Sequence, residues 1–133
     1  MSTYTDGFVI PLPKKNLDTY RAMATVASEV WQEHGALDYK ECVLEDDNAP
    51  MCLSFTKGLN LKDDETVIFA WITYASRAER DRINVAVMED PRIKDFCSGE
   101  DMPFDPARMF YGGFSIIVDG QKSASARTAP SST

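Results

Sequence analysis

The sequence contains one histidine, His34, and three widely spaced cysteines, Cys42, Cys52 and Cys97. It has no Cys-x-x-Cys pair and no cysteine–histidine cluster, whereas a zinc site needs about four converging ligands. No Ser-His-Asp or Cys-His catalytic arrangement follows from these positions either. The sequence therefore indicates no metal site and no cofactor, and it predicts that the cysteines are buried or half-buried free thiols.

Long apolar runs and an excess of basic residues are also missing. No run approaches the ~20 apolar residues of a membrane helix, and the start of the chain lacks the basic and apolar regions of a secretion signal. Lysine and arginine total 14 against 21 aspartates and glutamates, a net charge of −7. Such a surface repels nucleic-acid phosphates and anionic lipids. These features predict a cytoplasmic protein that binds neither nucleic acid nor membranes.

The end of the chain, residues 120–133, has no aromatic and no large aliphatic side chain. A segment that buries little apolar surface cannot offset the entropy lost on ordering. We therefore expect a disordered tail over 120–133. The preceding residues, 1–119, have the length of a single domain.

Hydrophobic patterns predict elements in the order β-α-β-β-α-β. Residues Ser76 and Glu79 form the pattern of a capping box before the second helix. Residues 45–65 are expected to be a long connection with a packed apolar segment at 51–55, and residues 92–105 are expected to be irregular. The predicted strands are 4–12, 36–44, 66–75 and 108–119, and the predicted helices are 14–34 and 76–89.

This order is typical of a ferredoxin-like α+β fold, an antiparallel sheet with both helices on one face. The second strand has the more polar character of a sheet edge. The third strand carries large apolar groups on both faces: Ile68, Ile72 and Tyr74 on one, Phe69 and Trp71 on the other. A sheet with one face in water should alternate apolar and polar residues instead. We therefore expect a homodimer that packs sheet against sheet.

Several stretches also resemble the YbaA-like family of uncharacterised bacterial proteins. The resemblance covers nearly everything from Tyr4 to Asp119. It implies a dimeric α/β-barrel built from ferredoxin-like domains, and it implies no reaction. The matching motifs include Tyr4-x-Asp6-Gly7-Phe8-Val9-Ile10-Pro11, Trp31-x-Glu33-His34-Gly35-Ala36-Leu37-x-Tyr39-x-Glu41-Cys42, Trp71-Ile72-x-Tyr74-x-Ser76-Arg77, Val87-Met88-x-Asp90-Pro91-Arg92, Met102-Pro103-Phe104-Asp105, and Arg108-Met109-x-Tyr111-Gly112-Gly113-Phe114.

Two residues are candidates for proton transfer. Asp6 lies on an otherwise apolar strand, where a carboxylate is costly unless it is paired, so it is either a general base in a cleft or the partner of a structural arginine. It could also be a strand-end acid near water. His34 ends the first helix, where it is either a proton shuttle or haem ligand, or a histidine held by a backbone partner.

Four further residues are candidates for ligand binding. Trp71, Tyr74 and Tyr111 could line an apolar pocket and orient an aromatic ligand, or could serve in core and interface packing. Arg108 could bind a ligand carboxylate or could pair with a neighbouring acid. A cavity of at least ~300 Å³ lined by two or more of the polar candidates would favour a small-molecule-binding protein, which could also be a cofactor-free enzyme. Without such a cavity, a non-enzymatic binding or assembly protein is the alternative.

Two short motifs near the end of the domain suggest close packing. Gly112-Gly113 lies inside a predicted strand rather than before a helix, so it predicts a bulge or a close backbone approach rather than a phosphate loop. The segment 102–105, Met-Pro-Phe-Asp, is expected to fold over a pocket mouth or the dimer edge.

Overall fold

A computed structural model describes residues 3–97 and 102–120. The expected disordered tail, apart from Gly120, and part of the segment expected to be irregular lie outside the described residues. The strands are β1 (Tyr4–Pro13), β2 (Asp38–Val43), β3 (Glu65–Tyr74) and β4 (Phe110–Ser115). The helices are α1 (Leu17–His34), α2 (Phe55–Gly58), α3 (Arg77–Met88) and α4 (Pro91–Cys97), with short 3-10 turns at Lys14–Asn16 and Pro106–Arg108.

The strands form one antiparallel sheet in the order β2-β3-β1-β4. This arrangement confirms the ferredoxin-like α+β fold and places β2 at an edge, as its polar character predicted. In the register, Asp6 of β1 lies between Ile72 of β3 and Gly113 of β4. These three residues therefore share the sheet face that lies under the helices.

The end of α1 and the start of α3 lie where the sequence predicts, whereas α1 begins at Leu17 rather than at residue 14 because residues Lys14–Asn16 form a 3-10 turn. Gly35 follows α1 at φ 123°, a conformation that L side chains rarely adopt, and its amide hydrogen-bonds to the Gln32 carbonyl at 3.1 Å. Ser76 caps α3, its hydroxyl accepting from the Glu79 amide at 3.2 Å. The reciprocal half of the capping box is not formed in the described structure, because the Glu79 carboxylate accepts from Arg82 instead, at 2.8 and 2.9 Å.

The segment expected to be irregular begins with a helix, and this prediction was therefore wrong. Pro91 ends α3 but also starts α4, because proline suits the first position of a helix, where no amide donor is needed. The Asp90 carbonyl accepts from the amides of Ile93 and Lys94 at 3.0 and 3.1 Å. Ile93 is buried in the core beneath α1 and α3.

Three expectations about burial were also wrong. The apolar segment at 51–55 does not pack, since Met51 is 92% exposed and Leu53 and Phe55 are exposed as well. The last strand ends at Ser115, so Ile117 and Val118 lie in water. Cys42 and Cys52 are free but exposed, because Cys42 lies on the outer side of edge strand β2 and Cys52 lies in the exposed connection.

The core lies between the sheet and the helices, and the opposite side of the sheet is largely uncovered. Phe69, Phe110 and Phe114 on that side are about half exposed. The single turn α2 approaches this side, where Phe55 and the residues Leu44–Asp46 line a cavity together with Val67 and Phe69. We call this surface the open face; its apolar residues are Val9, Val67, Phe69, Trp71, Phe110 and Phe114.

Candidate functional site

Asp6 is the most deeply buried charged side chain described, at 1% exposure. Alternation along β1 turns it toward the helices, where Arg80 of α3 meets it. Arg80 Nε lies 3.0 and 3.2 Å from the two carboxylate oxygens, and Arg80 Nη2 lies 3.0 Å from Oδ1. Tyr74 donates to Oδ2 at 3.2 Å and Asn84 donates to it at 3.5 Å. Donors therefore surround the carboxylate, and a charged partner compensates it.

Arg80 and Asn84 reach Asp6 together because they lie four residues apart on α3, one above the other on the same face. The Arg80 side chain is only 13% exposed. It also donates to the Tyr111 hydroxyl at 3.1 Å and lies 5.2 Å from the centre of the Tyr4 ring. Hydrogen bonding to Asp6 raises the pKa of Arg80 further above its already high value, so the guanidinium stays charged.

Gly113 leaves the room that this ion pair needs. A methyl group at Gly113 would lie 2.6 Å from Arg80 Nη2 and would also overlap the Tyr4 hydroxyl. At Gly112 the nearest atoms to such a methyl are 3.6 Å away, an ordinary contact. The close approach predicted for the glycine pair therefore occurs, and Gly113 is the residue that requires it.

Asn84 links the ion pair to the aromatic residues around it. Its carbonyl oxygen accepts from Trp31 Nε1 at 3.1 Å and lies 3.3 Å from the Tyr74 hydroxyl. Burial, followed by the charge of Asp6, raises the pKa of Tyr74, and the same two causes in the same order raise the pKa of Tyr111. Both phenols therefore remain neutral hydrogen-bonding groups at physiological pH.

A cavity of about 320 Å³ opens beside this cluster, which we call the Asp6 cavity. It meets the size expected for a ligand site, and two of the predicted candidates, Asp6 and Tyr111, line it. The rest of its wall is mainly apolar and comes from both the sheet and the helices. Its lining residues are Asp6, Phe8, Trp31, Asn84, Met88, Met109 and Tyr111.

A second cavity of about 160 Å³ adjoins the first, and we call it the Glu41 cavity. The two share Phe8, Trp31, Met88 and Met109 as walls, so they lie side by side in the space between the sheet and the helices, which we call the cleft. The segment expected to fold over a pocket mouth contributes Met102 and Phe104 to the wall of this cavity.

Glu41 is the only charged residue that lines the second cavity within the described part of the chain. The Tyr20 hydroxyl donates to Oε1 at 2.7 Å and the Tyr39 hydroxyl donates to Oε2 at 2.8 Å. Burial raises the pKa of Glu41, and the two tyrosine hydrogen bonds oppose that rise without cancelling it. The sequence analysis missed this residue, although a glutamate that shares the inward face of β2 with Tyr39 was a usable signal.

The structure places the other three predicted site residues elsewhere. His34 Nε2 lies 3.3 Å from Asp90, so its partner is a carboxylate rather than the backbone. Trp71 lies on the open face and donates to Asp38 Oδ2 at 3.2 Å. Arg108 pairs with Glu65, the alternative that the sequence also allowed. Asp6, Tyr74 and Tyr111 are thus brought together, whereas Asp6 and His34 share no hydrogen-bond partner among the described residues.

The described residues contain no grouping of three or more His, Cys, Asp or Glu side chains that could hold a metal ion. None of the helices in the described part of the chain combines the length and the apolar character that crossing a membrane demands.

The sheet order and the helices on one side define a ferredoxin-like α+β protein with a cleft beneath its helices. The chain belongs to the family described as Protein of unknown function (DUF1428), whose model matches residues 3–106. It is 43% identical over 116 residues to the uncharacterized protein YbaA of Escherichia coli strain K12, covering 87% of this chain and 97% of that protein. YbaA of Shigella flexneri matches equally well. The resemblance to YbaA-like proteins is therefore confirmed.

Solved structures support the same fold at much lower identity. One is a dimeric ferredoxin-like protein from an uncultured marine organism, with a TM-score of 0.53 and 12% identity, covering 90% of this chain and 99% of that one. Another is a nipsnap family protein with unknown function from Agrobacterium tumefaciens, with a TM-score of 0.54 and 12% identity, covering 86% and 88%. At this identity they show the fold alone.

Proposed function

We propose that this protein is a homodimer in which each protomer binds a small apolar or aromatic molecule in the cleft between its sheet and its helices. The observation that carries the proposal is the Asp6 cavity, about 320 Å³ in volume, with apolar walls and a few converging polar groups. Asn84 and Tyr111 orient the ligand through hydrogen bonds, and Phe8, Trp31 and Met88 supply apolar contact.

The hydrogen bonds at Asp6 favour binding over acid–base chemistry by that residue. Its carboxylate accepts from Arg80, Tyr74 and Asn84 and forms an ion pair with Arg80. These donors occupy both carboxylate oxygens, so Asp6 offers a substrate no free acceptor position. Catalysis by Asp6 and His34 on an apolar or aromatic substrate, without a cofactor, remains a prediction, as does the cytoplasmic location.

The open face supports the dimer. Phe69, Phe110 and Phe114 are about half exposed there, and covering a large apolar side chain gains ~1.5–3 kcal/mol. A second copy supplies a matching apolar surface through a two-fold axis. The solved structure from the uncultured marine organism is described as a dimeric protein of the same fold.

The ligand proposal is tested by thermal unfolding with benzyl alcohol and 2-naphthol. A ligand at ~100 times its dissociation constant adds ~2.7 kcal/mol to the free energy of unfolding. Met109→Trp narrows the Asp6 cavity and should weaken binding, whereas Ala22→Leu on the exposed side of α1 should not. Absence of any stabilisation of the wild-type protein would contradict the proposal, as would equal binding by both variants.

The dimer is tested by sedimentation at micromolar concentration. Phe69→Glu puts a charge on the open face and should yield the monomer mass, whereas Val85→Glu changes an exposed apolar residue of α3 and should leave a dimer. A wild-type protein that sediments as a monomer would overturn this part of the proposal.

A further inference from the structure

Glu41 differs from Asp6 in having no cation beside it. Each of its carboxylate oxygens accepts one tyrosine hydroxyl, and no Lys, Arg or His nitrogen in residues 3–97 and 102–120 forms an ion pair with it. A carboxylate oxygen has room for a second donor, so two hydrogen-bonding positions remain at the carboxylate. Glu41 therefore has an uncompensated charge and unused acceptor positions at the wall of a cavity.

The surroundings of Glu41 make that charge costly. Apart from Glu41 and its two tyrosines, the cavity wall consists of apolar side chains from α1, α3, α4, the sheet and the 102–109 segment. Burial penalises the ionised carboxylate there, and this penalty is the first cause of its raised pKa. A cation delivered by a ligand would remove the penalty, because a buried charge is stabilised chiefly by a partner of opposite sign.

Aromatic rings line the same cavity. Tyr20 packs edge-on against Phe104 with ring centres 5.9 Å apart, and Trp31 packs against Tyr39 at 6.1 Å. All four residues line the Glu41 cavity. Aromatic faces attract cations within about 6 Å, and the attraction grows when water is excluded. A carboxylate and aromatic rings together favour an organic ammonium group over a neutral or anionic one.

The size of the cavity limits the ligand, and an outer groove provides a route to Glu41. A volume of about 160 Å³ matches apolar cavities that hold one benzene ring. On the other side of Tyr20, Tyr39 and Glu41 lies an outer groove of about 390 Å³, lined also by Arg21 and Glu29. Glu41 can therefore be approached from the groove as well as from the cleft.

We infer that the Glu41 cavity binds a primary amine carried on a single ring, with the Glu41 carboxylate as counter-charge and Tyr20 and Tyr39 holding that carboxylate in place. The inference rests on the proposed function, since it specifies the ligand class of the same cleft. The ring lies among Phe8, Ile72 and Phe96, and the ammonium group uses the acceptor positions that the tyrosines leave open.

The test is calorimetric titration of the full-length wild-type protein at pH 7 with benzylamine, benzyl alcohol and benzoate. We expect benzylamine to bind at least ~10-fold more tightly than benzyl alcohol, and benzoate to bind more weakly than either. In Glu41→Gln, which keeps the shape and removes the charge, this preference should disappear while benzyl alcohol binding is retained. Glu89→Gln removes one negative charge at an exposed position and should keep the preference.

Each other outcome counts against a particular claim. If benzyl alcohol binds as tightly as benzylamine to the wild-type protein, or if Glu41→Gln keeps the preference, the amine inference is overturned and the proposed function stands. If none of the three compounds binds, the proposed function fails as well. If circular dichroism shows that Glu41→Gln does not fold, Glu41→Leu replaces it. The comparison of the three compounds on the wild-type protein is decisive even without a variant.

Discussion

Asp6 is buried and Glu41 is half-buried, both on the sheet face that lies under the helices, and their surroundings differ in one respect. Asp6 pairs with Arg80, whereas Glu41 has only the hydroxyls of Tyr20 and Tyr39. The first arrangement compensates the charge within the protein, and the second leaves that compensation to a ligand. Burial alone therefore does not mark a functional carboxylate, and we propose that the charge of its partner distinguishes a structural ion pair from a binding group.

The largest expected effect comes from removing the partner of Asp6. Arg80→Met would leave a buried carboxylate uncompensated, and breaking such a pair costs ~3–5 kcal/mol in the free energy of unfolding. Urea unfolding measures this change. Arg77→Met, at an exposed position on the same helix, is the control and should change stability by less than ~1 kcal/mol. If the two variants lose the same free energy of unfolding, the Asp6 ion pair is worth no more than an ordinary surface ion pair.

A smaller effect is expected from crowding the same ion pair. In Gly113→Ala the added methyl would lie 2.6 Å from Arg80 Nη2, so the guanidinium or Tyr4 must move. Overpacking of this kind costs ~1–3 kcal/mol. Gly120→Ala has nothing within 4 Å of the added methyl and should leave urea unfolding unchanged. A Gly113→Ala protein as stable as the wild type would show that the pair does not need its present geometry.

The smallest effect is a pH dependence at Glu41. Its folded-state pKa is raised above the ordinary 4.5, so the folded protein binds this proton more tightly than the unfolded chain. The resulting stabilisation is complete below pH 4.5 and is lost as the pH rises through the folded-state pKa. The stability of Glu41→Gln relative to the wild type should therefore increase with pH above 4.5.

Thermal unfolding from pH 4 to pH 8 measures that difference, and groups common to both proteins cancel. Glu89→Gln, at an exposed position, should show no such trend. A difference that shrinks with pH would mean that the tyrosine hydrogen bonds outweigh burial at Glu41.

The fold could be predicted from the sequence because its signals are local and strong. The apolar third strand, the serine cap at Ser76 and the glycine after α1 each determine an element by themselves. The start of α4 was missed because Pro91 can both end one helix and begin the next. The exposed segment at Met51 was missed because hydrophobicity does not say which surface is available to cover it.

The candidate site was predicted only in part. Asp6, Tyr74 and Tyr111 were selected as polar groups on apolar strands, and the register brings them together. Arg80 and Asn84 were missed, because a helix rich in charge gives no sign of which residues turn inward until its contact with the sheet is known. His34 was selected because an imidazole can transfer protons. In the structure it pairs with Asp90 and does not join the residues around Asp6.

The most direct test of the contrast between the two carboxylates is a carbon-13 NMR titration of the Glu41 carboxyl group, with and without benzylamine. We expect a pKa above the ordinary value of 4.5 in the free protein and a lower pKa when the amine is bound, because the ligand supplies the missing cation. A free-protein pKa at or below the ordinary value, or one that saturating benzylamine leaves unchanged, would contradict it.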